Sequence, residues 1–207
     1  MPIFAPMNAP TEKFKLGLNL PTDPRWVNIA EKSIEEILID HAFCEQKAAS
    51  TGISLIVNFS DKKELVEEVA PIVAEEWAHF RQVLKELEKR GYALGNKRKD
   101  EYVTKLLGLE QKGGNRDSQL VDKLLISALI EARSCERFRL LSLHIADPEL
   151  KVFYHSFMVS EASHYKTFLN LAKKYMPADY VSQRWQYFLK EEAVILQTIE
   201  LRADRFH

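Results

Sequence analysis

The chemistry legible in this chain is carried by two Glu-x-x-His pairs, Glu76 with His79 and Glu161 with His164, 85 residues apart. A glutamate stands upstream of each, Glu45 by 31 residues and Glu131 by 30. On an α-helix, positions i and i+3 share a face about 5 Å apart, so each pair offers one oxygen and one nitrogen to a single ion. Four carboxylates and two imidazoles suit two iron or manganese ions, the way a four-helix bundle holds a di-metal centre in its core. Gathering that much negative charge in a core without cations would be costly, so the pattern asks for metal. It makes an otherwise plain helical protein a candidate oxygen-activating enzyme. One Glu-x-x-His pair is expected by accident roughly 0.6 times in such a composition. Two pairs in helical context, each with its matched glutamate, exceed accident.

The elements needed to position these residues are long helices. Residues 1–21 form an irregular lead with four prolines, followed by a single domain over 22–207. Thr22-Asp23-Pro24 predicts the first helix start, with apolar positions continuing through Ile34, Ile37, Leu38 and Ala42. Thr51-Gly52 weakens that helix, and Ser54 to Phe59 is open to either a further turn or an extended link. Asp61 and Glu64 form a capping-box pattern for a second helix reaching Gly91, with a kink expected at Pro71. A short helix near Asp100 to Leu109 interrupts the loop-like stretch from Tyr92 to Arg116. A third helix spans about Ser118 to Ile145, Asp147-Pro148 turns into a fourth reaching Lys174 or Tyr175, and a fifth covers about Tyr180 to Asp204. The fold expected is all-α, a four-helix bundle with a long crossover connection and an additional C-terminal helix.

Height along the bundle selects among the glutamates. Glu161 lies 14 residues beyond Asp147 and Glu131 lies 16 before it, within about 3 Å of one level at 1.5 Å per residue. Glu136 is nearer the bundle end and ranks second to Glu131. Glu75 is rotated about 100° from Glu76 and has the weaker claim as a ligand. His41, four residues before Glu45, reads first as a packed or solvent-facing histidine and second as a support for that glutamate. Phe80, Phe138, Phe157, Tyr165 and Phe168 neighbour the ligand turns and read mainly as core.

Composition narrows the class further. The chain has 207 residues, 46% hydrophobic and 29% charged, a net charge of −1 and only 7 glycines, which fits one ordinary helical core. No apolar run is long enough for a membrane span, and the N-terminus lacks the basic and apolar regions of a secretory signal. Two cysteines, Cys44 and Cys135, fit a reducing, cytoplasmic setting better than a disulfide scaffold. Residues 31–76 carry 4 basic and 11 acidic side chains, whereas 81–124 carry 11 basic and 7 acidic. The middle of the chain is thus a basic island, and Lys97, Arg98, Lys99, Lys105, Lys112 and Arg116 are its candidate phosphate-contacting residues.

Four strings together carry a resemblance: Asp40-His-Ala-Phe-Cys-Glu-Gln-Lys-Ala-Ala-Ser50, Glu75-Glu-Trp-Ala-His-Phe80, Glu131-Ala-Arg-Ser-Cys-Glu-Arg-Phe138 and Ser160-Glu-Ala-Ser-His-Tyr165. The chain resembles the bacterial tRNA hydroxylase family MiaE, within the ferritin-like di-iron proteins, from about Leu18 to Arg205. The resemblance implies Glu45, Glu76, His79, Glu131, Glu161 and His164 as ligands of two iron ions, with O2 as cosubstrate. It implies hydroxylation of the isopentenyl group of 2-methylthio-N6-isopentenyladenosine beside the tRNA anticodon. The partners it implies are a tRNA carrying a prenylated adenosine and an electron donor, a reductase or ferredoxin-like protein. The alternative is another ferritin-like di-iron protein, a peroxidase or iron oxidase not acting on tRNA. Absence of Cys-x-x-Cys pairs argues against a rubrerythrin, and the basic middle against a storage ferritin. A metal-free helical interaction protein is the third possibility, and it leaves the clustered glutamates unexplained.

Overall fold

The computed structural model describes residues 16–96 and 99–199. Its elements are α1 (Trp26–Ala30), a 3-10 turn (Glu31–Ser33), α2 (Ile34–Asn58), α3 (Lys63–Lys89), α4 (Glu101–Leu107), α5 (Arg116–His144), α6 (Pro148–Tyr175) and α7 (Ala178–Thr198). No strand occurs among the described residues. The last helix, expected to reach about Asp204, ends at Thr198 with Ile199 already extended; the first fifteen residues of the lead lie outside the described residues.

Local chemistry sets the helix ends. The Asp147 carboxylate accepts from the amides of Glu149 and Leu150, and Pro148 occupies the first turn of α6, where its missing N–H costs nothing. Asp100 and Asn115 cap α4 and α5 in the same way. α3 closes with Gly91 at φ 75°, the Gly91 amide donating to Glu88 and the Tyr92 amide to Leu87. That pair of bonds satisfies the last carbonyls and needs the left-handed conformation that glycine adopts freely.

Three further expectations shift. The helix predicted from Thr22 begins at Trp26, because Arg25 takes the Asp23 carboxylate and Thr22 donates to Glu136. The capping box does not form: α3 starts at Lys63 with no side-chain cap, and Asp61 is held by Arg116. Thr51-Gly52 does not end α2, which runs unbroken to Asn58. A Cβ on Gly52 would stand 2.5 Å from Val73 Cγ2, so this glycine serves the close approach of α2 to α3. Pro71 sits inside α3 without ending it.

α2 packs along α3, and α5 along α6. At one bundle end Arg116 of α5 bonds Asp61 and the Asn58 carbonyl, beside the α2–α3 turn. At the other, Arg90 after α3 bonds Asp147 beside the α5–α6 turn, at 2.7 Å. The connection carrying α4 therefore travels the bundle's length, and α3 and α5 run parallel. This is the crossover bundle expected. α7 lies outside, against α5 and α4. Its anchor is Glu192, buried against the guanidinium of Arg133 at 2.7 Å and accepting from the Tyr102 hydroxyl at 3.1 Å. Arg133 also bonds the Leu20 carbonyl and Thr22, so one buried residue ties the lead, α5 and α7 together.

The core has a small cluster of Leu16, Ala132 and Cys135 and two large apolar blocks. One is built around Phe59, Leu65, Leu120, Leu124 and Phe188, the other around Trp26, Leu38, Leu87, Phe138 and Phe157. Between them lies a layer of buried polar groups. No helix among the described residues is long and apolar enough to cross a membrane.

Candidate metal centre

α2, α3, α5 and α6 each turn ligand-type side chains into that polar layer. Glu45, Glu76, His79, Glu131, Glu161 and His164 are all buried. Their donor atoms form two overlapping sets, each with atoms within 4.8 Å of one another: Glu45, Glu76, His79 and Glu161, then Glu76, Glu131, Glu161 and His164. Glu76 and Glu161 belong to both sets. Glu45 with His79 is particular to the first, Glu131 with His164 to the second. Two donor sets with two carboxylates in common, each with one further carboxylate and one imidazole, could hold two ions.

The bonding supports a metal fit. Both carboxylate oxygens of Glu76, Glu161 Oε1, His79 Nδ1 and His164 Nδ1 are buried and make no well-aligned hydrogen bond. Native interiors rarely leave such atoms unmatched unless a bound ion or water satisfies them. His164 Nδ1 is 2.7 Å from Glu76 Oε1, and His79 Nδ1 is 3.4 Å from Glu45 Oε2. These are atoms facing a common point, as ligands do. Iron or manganese accepts this mixture of carboxylate oxygen and imidazole nitrogen.

Electrostatics make the same point. Burial, and then the charge of Glu76, push Glu45 well above its ordinary range. Burial and the charge of Glu131 do the same to Glu161, and burial lifts Glu131 to about 7. Burial also opposes ionisation of Glu76, yet the adjacent imidazoles of His164 and His79 hold it low. Burial would lower His79, but Glu45 and Glu76 raise it to about 10; Glu76 and Glu131 likewise raise His164 to about 9. Without cations the cluster retains protons. Cations would displace them, since the metal-binding forms are carboxylate and neutral imidazole.

The groups behind these residues are unequal in the two halves. Aligning Glu76 with Glu161 and His79 with His164 also aligns Glu75 with Ser160. Glu75, placed by sequence as a poor ligand, lies outside the cluster and serves both histidines. Its Oε2 is 3.0 Å from His164 Nε2, its Oε1 is 3.9 Å from His79 Nε2, and Ser160 donates to it. Glu75 is four residues before His79 and Ser160 four before His164, a spacing that puts each over its histidine. That spacing was the available sequence signal. An outward nitrogen held by a carboxylate fixes ring orientation and tautomer.

The glutamates on α2 and α5 show a second inequality. Four residues before Glu45, the fully buried His41 has its Nε2 2.7 Å from Glu45 Oε1. Burial, then the charge of His79, lower it to about 3, so the ring is neutral and Nε2–H donates. Phe138, Tyr154 and Phe157 rings surround it at 4.6 to 5.7 Å. The position four before Glu131 is Ser127, which borders a cavity. Glu136 is not in the cluster; it bonds Arg133 and Thr22.

The candidate phosphate-contacting residues scatter along the crossover. Lys97 and Arg98 lie outside the described residues. Lys99 and Lys112 are exposed. Lys105 pairs with Glu101 at 2.9 Å and donates to Thr198, while Arg116 pairs with Asp61 at 2.7 Å and covers the Phe59 ring. Two further lysines that sequence did not single out border cavities: Lys47, paired with Asp100, and Lys123, paired with Glu110.

Comparison with known proteins places the whole chain. A relative from Pseudomonas putida, tRNA 2-(methylsulfanyl)-N(6)-isopentenyladenosine(37) hydroxylase, is 40% identical over 158 residues, 76% of each chain. A protein of the same name from Salmonella typhimurium is 28% identical over 239 aligned positions, covering 92% of this chain and 87% of that one. A solved structure, Protein 43 with aldehyde deformylating oxygenase activity from Synechococcus, superposes with a TM-score of 0.86 at 32% identity, over 92% of this chain and 94% of that one. The bundle is thus ferritin-like. The model of the tRNA-(MS2IO6A)-hydroxylase (MiaE) family matches residues 9–207, and the chain belongs to that family.

Proposed function

We propose that the protein hydroxylates the isopentenyl group of 2-methylthio-N6-isopentenyladenosine next to the tRNA anticodon, using O2 and two iron ions in the cytoplasm. The observation that carries the chemistry is the pair of overlapping donor sets sharing Glu76 and Glu161. The substrate follows from family membership and from the activity for which the two relatives are named.

Glu45 and His79 would complete one ion's protein ligands, Glu131 and His164 the other's, with Glu76 and Glu161 spanning both. Bound iron would supply the activation of O2 and the oxidising power to replace a C–H bond of the prenyl tail by C–OH. The chain's own contribution is placement. Glu75 holds the His164 imidazole through its Nε2 and faces that of His79 at longer range, and His41 holds Glu45. The apolar blocks on either side keep bulk water from the cluster. Reduction of O2 to the level of one inserted oxygen and water needs two external electrons, so a reductase or ferredoxin-like donor is part of the proposal. Lys97, Arg98, Lys99, Lys105, Lys112 and Arg116 are proposed to meet the tRNA backbone.

The test is mass spectrometry of prenylated tRNA incubated with iron-loaded protein, O2 and a chemical reductant. A gain of one oxygen on the prenylated base supports the reading; no gain with the metal site filled overturns it. Replacing Lys97, Arg98 and Lys99 by glutamine should weaken tRNA binding and flatten its salt dependence, with metal content unchanged. The Synechococcus structure favours one other reading, deformylation of an aldehyde at the same centre. Aldehyde consumption in place of tRNA hydroxylation would select it.

A further inference from the structure

Two cavities meet beneath the crossover. The inner one is bordered by Glu76 and Glu131 of the cluster, with Gly52, Ile72 and Phe168 as apolar wall, and holds about 60 Å³. The outer one, about 320 Å³, reaches Asn58, Phe59 and the Lys123–Glu110 pair. Thr51, Val103, Ser127 and Ile130 border both, so the two are successive chambers of one groove between α2 and α5, roofed by Val103 of α4.

The inequality of the two halves explains why the groove opens where it does. On the Glu45 side the place four residues upstream is filled by His41 and its aromatic neighbours. On the Glu131 side the equivalent place holds only the small Ser127. One ion position is therefore walled off, and the other faces the groove.

Size and lining divide the groove chemically. Water needs about 10–15 Å³ of such space, so the inner chamber suits a few methyl-sized groups, as in a branched prenyl tail. The outer chamber matches the lower range of small-molecule sites, about 300 Å³. It offers the Phe59, Leu55 and Ile126 side chains for a flat ring and Thr51, Ser54 and Asn58 for polar edges. Arg116 at the Asn58 carbonyl, paired with Asp61, and Lys123 at the rim, paired with Glu110, stand where a nucleotide's phosphates would emerge and could exchange those carboxylates for them.

We infer that this groove is the site of the flipped-out base: the prenyl tail in the inner chamber against Glu131 and Glu76, the purine in the outer chamber, and α4 as the roof. The inference rests on the proposed tRNA reading. It makes Thr51 and Ser127 positioning residues that set how far the tail reaches.

The experiment measures binding of a prenylated anticodon stem-loop and of its unprenylated counterpart by calorimetry, with metal content and melting temperature recorded for each protein. Thr51 and Ser54 are exposed on α2, so Thr51→Trp and Ser54→Trp burden the groove and not the core. Wild-type protein is expected to prefer the prenylated RNA by about tenfold or more. Thr51→Trp should erase that preference while keeping its metal and its affinity for unprenylated RNA. Ser54→Trp, narrowing the outer chamber, should weaken the prenylated RNA several-fold, and it carries the test if Thr51→Trp misfolds. Val159→Trp, on the outer face of α6, should change nothing. Persistence of the full preference in both groove variants overturns the groove assignment alone. Absence of any preference, together with absence of hydroxylation, in wild-type protein overturns the functional reading and the groove with it.

Discussion

Glu75 Oε2 lies 3.0 Å from His164 Nε2, across the bundle from α3 to α6, while the same carboxylate faces His79 on its own helix. One half-exposed side chain thus bonds one imidazole of the cluster and stands beside the other. Ser160, its counterpart in the repeat, donates to Glu75 and not to a histidine. The two halves share a single support.

Removing that support should loosen both positions together. Glu75→Ala is expected to weaken iron binding about 10- to 100-fold, with little change in the melting temperature of the metal-free protein, because Glu75 contributes no core packing. Anaerobic ferrous titration reads both. A drop at one position only would show that His79 is oriented by something else.

The shared and unshared glutamates should behave differently. Glu76→Ala or Glu161→Ala removes a donor from both sets and should leave neither ion bound at stoichiometric level. Glu45→Ala or Glu131→Ala should leave up to one ion per chain, counted by elemental analysis. In the metal-free state, Glu161→Gln should raise stability, since it removes one of four carboxylates crowded in the core. Loss of stability in that state would contradict the charge crowding.

Arg133 and Glu192 are both fully buried, and cutting one from the other strands a charge. Glu192→Ala is expected to destabilise the protein by about 3 kcal/mol in urea unfolding. Because Tyr102 also leans on Glu192, α4 and α7 should lose hydrogen-exchange protection before the α2–α3 pair does. Simultaneous loss everywhere would show that the appendage and bundle unfold as one.

Asp147 offers a pH-dependent check. Burial opposes its charge, but Arg90 and the amides of Leu150 and Glu149 together outweigh it and hold its pKa below the ordinary aspartate value. A depressed folded-state value means the stabilisation is complete above the unfolded value and fades as pH falls through the folded one. Asp147→Ala should therefore cost about 1 kcal/mol near neutrality. The difference from wild type should shrink below about pH 4, read as denaturation midpoints against pH.

The division between sequence and tertiary structure runs through particular residues. Helical period, proline and capping residues lay out α5 and α6 to within two residues, because those signals act over one turn of chain. The Glu-x-x-His spacing likewise names His79 and His164, since i and i+3 share a face on any helix. Height from the Asp147 turn favours Glu131 over Glu136, and the structure puts Glu136 on Arg133 instead. Three matters needed the folded chain. Which carboxylates are shared depends on where four separate helices bring their faces, and no local pattern encodes that. Gly52 looks like a helix end until Val73 of another helix is seen against it. The opening beside Glu131 exists because His41 and its aromatic neighbours fill one half while Ser127 leaves the other vacant, a comparison of volumes that only packing can make.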